Sequence, residues 1–177
     1  MSLILLCPGF NPPGGTAQFR ANLQDLSRFA DLDLLTVPTG AIAPYDGGKI
    51  IEFVQAHRVT NALTLIGFSA GVVGAIAAAH RWQQQGGTIT QLIALDGWGV
   101  PLWGNFPIYR LSHDWTTHWQ SFPLGMGSRN FYADPPVDHL ELWANPTQGQ
   151  GWAESGWGQR ERLSAIAFIA QLLALHP

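Results

Sequence analysis

Cysteine is nearly missing: Cys7 alone among 177 residues rules out an intramolecular disulfide and points to a reducing compartment. It lies inside the first apolar run, where a thiol serves as a small buried hydrophobe. Charge is scarce too, at 12% of the chain, and the nine Lys and Arg are scattered singly in a chain of formal net charge −3. Without a basic stripe to neutralise phosphates, nucleic acid is excluded as a partner. Long hydrophobic runs are also wanting. The apolar stretch from Leu163 to Leu175 is shorter than a bilayer span and contains Ser164 and Gln171, so it reads as core and not as a membrane segment. The opening Met1 to Cys7 has no basic region and too short an apolar run for a signal peptide, so a cytoplasmic chain is expected. No repeat or low-complexity linker divides the sequence, which reads as one domain over residues 1–177.

What is present is an alternation of strand and helix patterns. Leu3 to Cys7, Leu32 to Val37, Ala62 to Ile66, Leu92 to Leu95, Pro107 to Leu111 and Asn130 to Ala133 are short apolar runs of the kind buried on both faces of a parallel sheet. Between them, Phe19, Leu23, Leu26 and Ala30 recur at helical spacing after a capping Thr16. Ala70 to Gln84 forms a small-residue helix, and Glu161 to Leu175 a closing one. The expected fold class is α/β: a three-layer α/β/α sandwich on a mainly parallel sheet of about six strands.

One segment carries chemistry. Gly67-Phe68-Ser69-Ala70-Gly71 is a G-x-S-x-G between a strand and a helix, the setting in which a sharp turn lifts a serine hydroxyl above the sheet edge. The flanking glycines let strand and helix pass closely. A serine hydroxyl becomes a nucleophile only when a histidine takes its proton and a carboxylate orients that histidine. His80 is eleven residues along the same helix, about 16 Å away, and cannot reach. His176 is next to the chain end, and His113 and His118 flank Asp114, which is better placed to act as the acid. His139, in the loop beyond the last short strand, is the expected base. Asp114 is the preferred acid because it ends the preceding strand; Asp96, closing the strand next to the serine, is the alternative. Asp134 and Asp138 are expected to be structural. The backbone N–H groups of Ala70 and Phe10 are the expected oxyanion donors, with Pro12 and Pro13 stiffening the second one's loop.

Pro8-Gly9-Phe10 after the first strand, the serine turn, and the order Ser69, Asp114, His139 together resemble a small, capless member of the α/β-hydrolase superfamily, over nearly the whole chain. The chain departs from the common pattern in having Pro8-Gly9 for His-Gly and Asp138-His139 for Gly-His. The resemblance implies a serine hydrolase acting on an ester-type bond through an acyl-serine intermediate, with a small-molecule acyl partner, no cofactor and no metal. A thioesterase or acyltransferase on the same triad, and a non-catalytic binding module of the same fold, are the alternatives. Five of the eight tryptophans, Trp98, Trp103, Trp115, Trp119 and Trp143, flank the acids or His139. Asn11, Phe68, Trp98, Trp115 and Trp143 are the expected pocket residues, with a hydrophobic acyl group of small or medium size as occupant. Trp152 and Trp157, in a Gly-rich segment, read as a flap or a contact for another chain.

Overall fold

A computed structural model describes residues 3–26, 33–57 and 62–175; Ala30, Leu32 and His176 lie outside the described residues. Six strands run parallel: β1 (Leu3–Cys7), β2 (Leu34–Thr36), β3 (Ala62–Phe68), β4 (Thr88–Leu95), β5 (Ile108–Ser112) and β6 (Arg129–Ala133). Two more, β7 (Gln150–Ser155) and β8 (Gln159–Ser164), add an antiparallel pair at one edge, so the order is β2-β1-β3-β4-β5-β6-β7-β8. The helices are α1 (Pro13–Gln24), α2 (Gly47–Ala56), α3 (Ala70–Gln84), α4 (Trp115–Ser121), α5 (His139–Ala144) and α6 (Ala165–Leu175).

The apolar strands bury both faces. One core packs Ile4, Leu6, Ile66, Phe68 and Leu95 against α1 and α6, and the other packs Leu5, Leu65, Leu92 and Ala94 against α2 and α3, giving the expected three layers. No helix among the described residues is long and apolar enough to cross a membrane.

Four sequence expectations change. The sheet has eight strands in place of about six, because Gln150–Ser155 and Gln159–Ser164 pair as a hairpin. The segment read as a flap is therefore sheet, with Trp152 Nε1 donating to Asp134 Oδ2 at 3.0 Å and its ring under the Arg162 guanidinium. The last helix begins at Ala165 because Glu161 to Ser164 belong to the edge strand. Helix α1 starts at Pro13, four residues earlier than expected, and Thr16 uses its hydroxyl to accept from Asn11 Nδ2 and Trp143 Nε1 instead of capping the helix.

Arg110, buried on β5, fastens the two loops on the site's flank. Its guanidinium donates to the carbonyls of Gly125, Val100 and Leu124 at 2.7, 2.9 and 3.1 Å and to Gly97 at 3.4 Å. Burial lowers its pKa to about 10, and carbonyl dipoles supply the compensation for its charge. Arg110→Met is expected to strand these acceptors and cost about 2 to 3 kcal/mol, read as a lower urea midpoint at unchanged slope.

Candidate active site

The carboxyl ends of β1, β3, β4, β5 and β6 converge on one edge, and the chemistry-bearing residues follow them. Ser69 comes directly after β3 with φ 53° and ψ −125°, a left-handed backbone that costs a non-glycine residue about 1 to 3 kcal/mol. The surrounding glycines make this turn possible. A Cβ at Gly71 would run into the carbonyl oxygens of Cys7 and Pro8, and one at Gly9 would stand 2.8 Å from Phe68 O and 2.9 Å from Ser69 Cβ. Only bare backbone lets the loop after β1 lie against the turn. Ala70 opens α3, so its N–H belongs to the first turn, which has no intrahelical acceptor.

The carboxylate on His139 is Asp96. Asp96 Oδ2 accepts from His139 Nδ1 at 2.8 Å, and the Asp96 side chain is 1% exposed. Asp114, the preferred acid in the sequence reading, is instead the N-cap of α4: its Oδ1 accepts from Thr117 N at 2.6 Å. This correction follows from the sheet. Asp96 N donates to Leu111 O at 2.8 Å, which continues the β4–β5 register by one residue and holds Asp96 beside the end of β5, while the chain after β5 turns into a helix and uses Asp114 as its cap. Asp138 caps α5 by accepting from Leu140 N at 2.8 Å, so His139 is the first residue of that helix.

A residue that sequence reasoning passed over completes the group. His113 N donates to Asp96 Oδ1 at 2.8 Å, and His113 Nδ1 meets Asp96 Oδ2 at 3.0 Å. One buried carboxylate thus receives three N–H groups. The signal was a His-Asp pair at a strand end, in which only the aspartate drew attention. Burial opposes ionisation of Asp96, but the hydrogen bonds from His113 and His139 outweigh it and hold the carboxyl below its ordinary value. The Asp96 hydrogen bond raises His113 against the opposing effect of burial, with help from the charges of Asp96, Asp114 and Asp138. The ligand-type atoms of Asp96, His113 and His139 lie within 4.8 Å of one another, the one such cluster found among the described residues. Both imidazoles spend their Nδ1 on the carboxylate at hydrogen-bond distance, so the donor set is already satisfied internally.

Ser69, Ala70, Asp96, His113 and His139 share a cavity of about 390 Å³ whose apolar wall is Val73, Trp98 and Val100. Of the expected pocket residues only Trp98 lines it. Phe68 and Trp143 are buried behind His139: the imidazole stacks on Phe68 at 4.7 Å, Phe68 on Trp143 at 5.1 Å, and Trp143 on Phe19 at 3.8 Å. This column fixes the plane of the ring. Asn11 opens onto a separate groove beside α1 and ties Thr16, Trp115 stands exposed on α4 and leans on Trp119, and Phe10 is 72% exposed on the loop against the serine turn.

Solved structures with the same architecture include a thioesterase domain, NocB, in covalent complex with a fluorophosphonate nocardicin G analogue, at 12% identity and TM-score 0.55, covering 82% of this chain and 88% of that one. YbtT, a type II thioesterase of the yersiniabactin pathway, matches at 15% identity and TM-score 0.60 over 99% of this chain and 93% of its own. RedJ, with a polyethylene glycol molecule in its active site, matches at 14% and 0.58 over 83% and 87%. The fold is that of the α/β-hydrolases. No protein-family model and no curated protein matches the chain.

The group has a definite pH signature. Folding lowers the Asp96 carboxyl, so its contribution to stability is complete above the ordinary value of 3.8 and is lost as pH falls through the lower folded value. Folding raises His113, so its contribution is complete below 6.5 and is lost as pH rises through the higher folded value. The thermal midpoint is expected to peak between these limits, and His113→Asn to remove the alkaline decline, as scanning calorimetry across pH 3 to 9 would reveal.

Proposed function

We propose that this protein is a serine hydrolase that cleaves an ester-type bond of a small or medium hydrophobic acyl substrate through an acyl-Ser69 intermediate. The observation that carries this reading is the shared cavity: a strained serine and a carboxylate-bound imidazole face the same space. His139 Nε2 removes the Ser69 hydroxyl proton as Oγ bonds to the carbonyl carbon, and the electron pair of the C=O moves onto oxygen. The Ala70 and Phe10 N–H groups are assigned to that oxyanion, each good donor contributing about 3 to 4 kcal/mol in the transition state. Collapse expels the leaving group with the proton held by His139, and a water then repeats the sequence on the acyl-serine to release the acid. Asp96 keeps Nδ1–H donated throughout, which fixes the tautomer and supports the imidazolium.

The apolar wall of Val73, Trp98 and Val100 supports an acyl group of modest length. The thioesterases among the structural neighbours favour a thioester as the bond cleaved, on the same serine. Turnover of matched butyryl oxygen esters and thioesters distinguishes the two substrates.

A fluorophosphonate probe is expected to label Ser69 covalently; a wild-type chain that takes no label would refute the hydrolase reading and favour a binding module. Ser69→Ala is expected to abolish turnover, a loss that can reach about a millionfold. Asp96→Asn should lower kcat by about 10⁴-fold, as expected for an imidazole left in the wrong tautomer. Asp114→Asn should retain turnover and leave stability within about 0.5 kcal/mol, because asparagine caps a helix about as well as aspartate.

A further inference from the structure

His113 has no task in the reaction proposed for Ser69 and His139, yet it makes more contacts to Asp96 than His139 does. Its ring Nδ1 shares Oδ2 with His139 Nδ1, its main-chain N–H holds Oδ1, and the two imidazoles stand edge to face with centroids 5.9 Å apart. One negative charge therefore serves two rings that can each accept one more proton. Once either ring is a cation, a second proton must enter beside a like charge in a half-buried pocket, so the first protonation suppresses the second.

The surroundings of His113 favour its protonated form. Asp96 at the end of β4 accepts from His113 Nδ1, while Asp114 at the start of α4 brings Oδ2 to 3.9 Å from its Nε2. Asp138 at the cap of α5 adds a third negative charge, and His139 is the facing group that can become positive. The His113 side chain is 27% exposed, so its Nε2 can take a proton from water.

We propose that His113 is a positioning residue and the first proton acceptor of the group: it holds the Asp96 carboxylate in place and, in acid, becomes the cation, leaving His139 Nε2 free to receive the Ser69 proton. This rests on the Ser69–His139 reading. The step moves one proton from solvent to His113 Nε2 and breaks no other bond.

The test compares wild type with His113→Asn, whose amide can still donate to Asp96 but takes up no proton near neutral pH. Butyryl ester kcat/KM is followed from pH 5 to 9, each protein normalised to its own value at pH 8.5. The acid limb of His113→Asn is expected to lie about one pH unit higher, so that on that limb the variant retains about tenfold less of its activity. A proportional loss at every pH would reduce His113 to a structural prop and overturn the proposal. A measurement that needs no turnover runs beside it: NMR titration of the His113 ring carbons in wild-type protein should show the ring taking its proton above the ordinary imidazole value of 6.5, and a midpoint at or below that value would overturn the proposal even if the variant failed to fold. If that raised midpoint is found in a chain whose Ser69 takes no fluorophosphonate, the protonation of His113 stands and it is the hydrolase reading that falls.

Discussion

Asp96 follows β4 in a left-handed conformation, φ 50°, with its carboxylate sealed from solvent and three N–H groups aimed at it from the end of β5 and the start of α5. A buried carboxylate without such donors would be neutral or would not be buried. The hydrogen bonds that keep it ionised are also those that bring His113 and His139 to the strand edge, so the charge and the geometry of the site are maintained by the same contacts. Removing any one donor leaves lone pairs in a dry environment, which makes the arrangement all-or-none.

Around that carboxylate the protein adds rigidity from two directions. Behind His139, the Phe68–Trp143–Phe19 column fixes the imidazole plane by packing, and the Trp143 indole is tethered to Thr16 of α1. On the other flank, Arg110 joins the loop carrying Trp98 to the segment after α4 through carbonyls alone. Neither support touches the cavity. Aromatic residues that a reading of the chain assigns to substrate contact thus act one layer back, and the apolar wall is left to Val73, Trp98 and Val100.

The serine turn was legible because its glycines and its flanking strand and helix patterns are visible in one stretch of chain: Gly67 makes room for Val72 and Ala75 nearby, although what Gly71 makes room for, the Cys7 and Pro8 carbonyls, is far off in sequence. That His139 and Ser69 line one cavity could be expected by elimination, in part because reach along a helix, computed from residue spacing, removes His80. The acid was not legible. Asp96 and Asp114 both end apolar runs, and the difference between them is that one continues a ladder bond to Leu111 while the other is taken up as the cap of α4. The hairpin of β7 and β8 was equally hidden: its edge strand is exposed and charged, and the Gly-rich stretch before it has no strand-like apolar run.

The sequence by itself determined the layered α/β class, the serine turn and the lack of an intramolecular disulfide, because each follows from composition or from patterns read along the chain. Only the tertiary structure decided which carboxylate serves the imidazole, that a second histidine shares it, and which aromatics face the cavity. Those choices depend on the register between β4 and β5 and on where separate strand ends meet, and groups tens of residues apart in the chain reveal that meeting only once the sheet has formed.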